Sequence, residues 1–244
     1  MKSTIITSSS FNKGGRDDAR FYLPTSFNPK DYPKINWCPL SKLANVVRNT
    51  LNPDKFPTVE FKYINLKDVD EVEGKIRQIH LVKGSKIKGA KVKARSGDIL
   101  FARIEPSIYN KKIAVVPENV DEIIGSTEFI VVTPKKGVSA RYLFWVLRGE
   151  WFSMQITENL MRGSTGRRRL DHKELEKRLV PDVSTERQRE IEEALVSASL
   201  KRDQILLTIE MLIKETDKRI KEMISNSKSF EIEDNVKKIV QKTL

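Results

Sequence analysis

The feature that most constrains this chain is a run of some forty residues, 185–224, that contains neither proline nor glycine. Apolar side chains recur through it at Ile191, Leu195, Ala198, Ile205, Ile209 and Leu212, the three-four spacing of one helix face. Past Leu212 the stripe drifts by one position, to Ile213, Ile220 and Ile224, as a straight helix does against a strict heptad. Such a helix is a rod of roughly 60 Å, and a lone rod cannot bury its own stripe. The pattern therefore predicts a coiled-coil helix that pairs, in preference to one folded back on the residues before it.

Charge separates this rod from what precedes it. The chain carries a formal net charge of +12. From residue 181 onward there are 12 Lys and Arg against 13 Asp and Glu, whereas residues 1–180 hold 33 against 20. All of the positive excess thus belongs to the part before the helix, as expected for a polyanion-binding head on a protein-binding stalk. Nucleic acid is the expected polyanion, since there is no basic amphipathic helix or lipidation signal to favour a membrane surface. A single cysteine, Cys38, excludes a disulfide framework within the chain. No apolar run approaches bilayer length and the polar N-terminus has no signal core, so a soluble, cytoplasmic protein is expected.

The organisation reads as four parts. Residues 1–36 form a proline-rich arm whose aromatics Phe21, Tyr22, Phe27 and Tyr32 imply docking. Residues 37–180 form a mixed strand and helix domain, 181–226 the long helix and 227–244 a polar tail. Ser41 is expected to cap a short helix over the following Lys-Leu-Ala-Asn-Val-Val. Strands are expected at 59–64, 90–94, 99–103, 113–116 and 128–132, with Pro117 and Pro134 as punctuation. A helix is predicted over 140–152, a second over 151–161, and the start of another at Asp171. This order points to an α+β fold.

Most catalytic templates are absent. His80 and His172 are the only histidines, and with one cysteine they cannot build a zinc or thiol-imidazole set. Gly84 and Gly89 have phosphate-loop spacing, but Ala90 stands where the lysine belongs. One enzymatic alternative is a magnesium-dependent nuclease using Asp54, Glu73 and Lys75, two carboxylates and a lysine able to hold a metal and activate water. Three basic segments fit DNA binding. Gly163-Ser-Thr-Gly-Arg-Arg-Arg169 offers backbone freedom, the hydroxyls of Ser164 and Thr165, and the guanidinium groups of Arg167, Arg168 and Arg169. Lys86, Lys88, Lys91 and Lys93 form a second, in which Lys91 and Lys93 share a strand face. Arg103, Tyr109, Asn110, Lys111 and Lys112 form the third, with an asparagine able to read adenine. Solvated loops and faces would explain the same residues.

In order along the chain come Gly97-Asp-Ile-Leu-Phe-Ala-Arg103, Gly125-Ser-Thr-Glu-Phe-Ile-Val-Val132, Tyr142-Leu-Phe-Trp-Val-Leu147 and Gly163-Ser-Thr-Gly-Arg167. This series resembles the target-recognition domain of type I restriction-modification specificity subunits. Leu179-Val-Pro181 with Glu186-Arg-Gln188 and Ile191 is similar to the start of that family's spacer helix, and Arg16-Asp-Asp-Ala-Arg-Phe-Tyr22 to the segment that follows one. The family's second proline at the spacer start is Asp182 here.

The resemblance implies a non-catalytic reader of double-stranded DNA. It implies methyltransferase subunits as partners, a restriction subunit that joins them, and S-adenosylmethionine held by the methyltransferase and not by this chain. It also implies that the partner flips the adenine it methylates. Family members carry two recognition domains and two spacer helices, and this chain has one of each. The expectation is a homodimer of half-subunits, joined through an antiparallel coiled coil and reading a palindromic split site. A half that pairs with a different half, a truncated remnant, and a basic scaffold for protein or RNA are the alternatives.

Overall fold

The computed structural model describes residues 27–226, with side chains to 224. The 16–22 motif, Phe21, Tyr22 and the 227–244 tail lie outside the described residues. Contacts divide the chain into a unit ending at Arg189 and a second beginning at Glu190. The first unit is the body.

Two sheets build it. One has four strands in the order β2-β10-β7-β8, comprising β2 (Ala44–Val47), β7 (Ile99–Ala102), β8 (Ile113–Val115) and β10 (Phe129–Pro134). The other runs β3-β6-β9-β4-β5, comprising β3 (Thr50–Leu51), β4 (Glu60–Ile64), β5 (His80–Lys83), β6 (Lys91–Arg95) and β9 (Glu122–Gly125). All pairings are antiparallel except β4 with β9. Leu100, Ala102, Phe129 and Val131 of the first sheet join Ile64, Val92, Ala94 and Ile123 of the second in one core. The opposite face of the first sheet receives α2 (Ala140–Arg148) and α3 (Glu150–Ser153), with Phe101 edge-on to Phe152. Strands β7 and β10 are thus covered on both faces, which is why they read as unbroken apolar runs instead of alternating.

The two ends of the body are stitched together. Strand β1 (Trp37–Pro39) pairs antiparallel with β13 (Leu179–Pro181), Cys38 opposite Val180. Buried Tyr142 donates its hydroxyl to the Pro181 carbonyl at 2.8 Å. The Gln155 amide grips Leu179 from both sides, donating to its carbonyl (2.8 Å) and accepting from its N–H (2.7 Å). Phe27 and Tyr32 of the arm pack on Trp37, which meets Trp151, as the docked-arm reading expects for these two residues.

Several local expectations are corrected. Ser41 does not cap a helix: it lies inside the short α1 (Leu40–Leu43), whose N-cap is Pro39. The following Ala-Asn-Val-Val is strand β2, because its alternate residues Ala44 and Val46 enter the core. The helix expected over 140–152 breaks at Gly149 into α2 and α3. The helix expected over 151–161 stops at Ser153, and Glu158–Leu160 is a single 3-10 turn leading into β11 (Met161–Arg162). Pro134 ends β10 as a paired residue, opposite Ala44. It can do so because a strand terminus has no donor to lose.

Helix α5 (Thr185–Asn226) runs two residues past the uninterrupted 185–224 pattern and begins four residues inside the expected 181–226 segment, whose first residue, Pro181, ends β13. Its first turn belongs to the body: Gln188, 4% exposed, accepts from the Ser139 N–H at 2.9 Å and donates to the Val183 carbonyl. From Glu190 onward, Leu200, Ile205, Leu206, Leu207, Ile209, Met211 and Ile213 are all exposed. Ile191, Leu195 and Leu212 are half-buried and Ala198 is exposed. Among the described residues no helix is long and apolar enough to cross a membrane.

Candidate nucleic-acid interface

The glycine-arginine segment is the tip of a hairpin between β11 and β12 (Arg169–Leu170), Arg162 standing opposite Arg169. Gly166 has φ of 78°, a conformation that suits glycine. What fixes the loop lies under it. Glu105, 7% exposed, accepts from the backbone N–H groups of Gly166 (3.0 Å) and Arg168 (3.3 Å) and from Arg168 Nε (3.1 Å). Burial opposes ionisation of Glu105, but the Arg168 and Gly166 donors outweigh it and hold the carboxyl below its ordinary range.

The three arginines therefore divide. Arg168 is shared between Glu105 and Glu158, Nη1 lying 2.5 Å from the latter. Arg169 grips Glu128 with Nε and Nη2, Nη2 at 2.7 Å. Arg167 and Arg162 are exposed, and among the described residues neither side chain makes a hydrogen bond or ion pair. Ser164 and Thr165 are exposed beside them. The latch thus spends two guanidinium groups on shape and leaves two cations and two hydroxyls facing solvent. Sequence reasoning missed both Glu105 and Arg162; a glutamate followed by proline carries no signal of a role sixty residues away.

The third segment sits against this hairpin. Tyr109 is half-buried, its phenol pushed up to about 12 by burial and by the nearby Glu105 and Glu158. It lines a cleft of about 620 Å³ together with Ile108, Lys111, Phe152, Met154 and Glu158. Asn110 is exposed at the turn. Lys111 adopts a positive φ of 52° and its carbonyl accepts from Arg148 at 2.7 Å. Lys112 reaches the Leu66 carbonyl at 3.3 Å. Arg103 is buried, its N–H tied to the Glu128 carbonyl.

The lysine run lies elsewhere, on the five-stranded sheet. Lys91 and Lys93 do share a face. Lys91 is turned onto its own loop, donating to the Lys88 carbonyl at 2.6 Å, and Lys93 pairs with Glu122 at 2.7 Å. Lys86 and Lys88 are exposed. The residues of the nuclease reading stand on separate elements. Asp54 stands on the 3-10 turn Pro53–Lys55, Glu73 pairs with Lys75 at 2.6 Å in a separate loop, and among the described residues no three acidic, histidine or cysteine side chains cluster as metal ligands.

No protein-family model matches this sequence, and no curated protein matches it. Solved structures do. One, from work on complex assembly and conformational transition of the type I restriction-modification system, shares 24% identity at a TM-score of 0.67 and covers 82% of this chain. Another, the HsdS subunit from Thermoanaerobacter tengcongensis, shares 26% identity at a TM-score of 0.64 and covers 77%. The match takes in 50% and 47% of those chains, so this chain spans about half their length. The chain therefore has the α+β fold of type I restriction-modification S subunits, presented as one body and one long helix, and members of that family are its structural neighbours over most of its length.

Proposed function

We propose that this chain is a specificity subunit of a type I restriction-modification system that reads double-stranded DNA and carries no catalysis itself. The observation that carries the reading is the latched, cation-tipped hairpin on a body whose structural neighbours are S subunits. Arg162 and Arg167 contact phosphates or guanine edges, and Ser164 and Thr165 supply short donors. Tyr109 and Asn110 flank them. Adenine methylation would be done by methyltransferase subunits holding S-adenosylmethionine, joined by a restriction subunit. Flipping the target base would fall to the methyltransferase, since a stacked adenine is out of its reach.

The exposed apolar stripe of the helix supports a homodimer through antiparallel helices, with a palindromic split site as the consequence. The test is competition binding. Duplex DNA should displace a labelled duplex with a steep salt dependence, while single strands and RNA should be poor competitors. Equal competition by single strands would sink the reading in favour of a general polyanion scaffold. Metal-dependent cleavage abolished by Asp54→Ala would instead restore the nuclease.

A further inference from the structure

Arg103 is the anomaly of the body. It is 8% exposed, and among the described residues its Nε is buried without a hydrogen bond and its two Nη groups make none. A buried guanidinium that makes no hydrogen bond is costly to keep charged. The carboxylates around it are already engaged. Glu128 is forked by Arg169, and Asp171 caps α4 (His172–Leu175) by accepting from the Lys173 N–H at 2.9 Å. His172 Nδ1, also buried without a hydrogen bond, lies 3.4 Å from the Asp171 carboxylate.

A second arginine arrives at the same place. Val47 pairs with Val131 across β10 and Ala102 pairs with Phe129. Val47 and Ala102 both face the five-stranded sheet, so alternation turns the next residues, Arg48 and Arg103, to the opposite face at one end of the sheet. Arg48 is exposed and among the described residues makes no side-chain hydrogen bond. Burial first, and then the like charge of Arg48, pull the Arg103 guanidinium below its ordinary range, with Glu128 and Asp171 only partly opposing. Two arginines with no salt bridge among the described residues converge beside two carboxylates already in use.

We propose that Arg103 and Arg48 form a phosphate-binding site, and that its occupant is a phosphodiester of the duplex held by the hairpin. The inference rests on the DNA-reading function proposed above and deepens it. A phosphate oxygen supplies the hydrogen bonds that Arg103 lacks, so the charge is ready for the anion before binding. The backbone held there fixes where the adjacent hairpin meets the bases.

The test uses the full chain and its Arg103→Met, Arg48→Ala and Arg103→Lys variants. Thermal unfolding is followed with and without inorganic phosphate, and duplex binding across a salt series. Without ligand, Arg103→Met should melt higher than wild type, because the unpaired charge is gone. It should also bind duplex about tenfold more weakly, with a salt slope lower by about one, and lose the protection that phosphate gives wild type. Arg48→Ala, at an exposed position, should lower the slope similarly without changing the melting temperature. It decides the matter if Arg103→Met does not fold. Arg103→Lys should keep the slope.

Unchanged slopes in both variants, or undiminished phosphate protection in Arg103→Met, overturn the site. If wild type binds duplex but these results fail, the site is wrong and the DNA reading stands. If phosphate protection needs Arg103 while duplex does not bind, the anion site stands and the DNA reading fails.

Discussion

The body and the helix dispose of their apolar side chains in opposite ways. Strands β7 and β10 are covered on both faces, and Phe129, Leu100 and Ile130 are wholly buried. In the helix beyond Glu190, Ile205 is 54% exposed and Ile209, Met211 and Ile213 are similar. The body thus has its own core, whereas the helix leaves its stripe uncovered among the described residues. Isolated helices owe little to propensity and most to packing, so one region should be stable alone and the other only when paired.

That contrast can be broken in graded steps. Ile205→Glu should have the largest effect, halving the solution mass seen by light scattering while the body's melting transition stays in place. A wild-type monomer would mean the helix waits for a different chain. Phe129→Ala should do the reverse, destabilising the body by about 4 kcal/mol in thermal or urea unfolding and leaving helix pairing intact. Glu105→Ala should cost about 2 kcal/mol by stranding two backbone N–H groups, and it should weaken DNA binding although Glu105 itself is buried.

The sign of the pH dependence follows from Glu105's lowered folded value. Its contribution is complete above the ordinary glutamate range, about 4.3, and is lost as pH falls through the lower folded value. The difference in melting temperature between wild type and Glu105→Ala should therefore be constant above about pH 5 and shrink in more acid solution. Arg167→Ala should be the mildest, with unchanged stability and a salt slope of DNA binding lower by about one.

How much was legible follows from the same contrast. Period and punctuation located β4, β6, β7, β8, β10 and the long helix to within a few residues, since those segments carry uninterrupted patterns. Strand β9, central in its sheet, went unseen: Glu122–Gly125 is four residues long, and its place depends on partners thirty and sixty residues earlier. Ala44–Val47 was misread because a Ser before a helix-tolerant run is a cap signal only if tertiary pairing does not claim the run. At the hairpin the residue types were legible and their division of labour was not. That Arg168 and Arg169 are structural depends on Glu105, Glu128 and Glu158, which lie close only in the folded chain. Gln188, quoted in the sequence as part of a family likeness, is a buried tie between α5 and the Ser139 N–H.

The pairing of β1 with β13 bears on synthesis as well as on stability. Lys42 and Asp182 meet at 2.6 Å across a separation of 140 residues, and Cys38 lies opposite Val180. On a ribosome the first strand must wait unpaired until nearly the whole body has emerged, and only then does the chain run on into the helix. Closure of so long a loop is entropically slow. The body therefore cannot be completed before residues 179–182 have emerged, which is the point at which synthesis enters the helix.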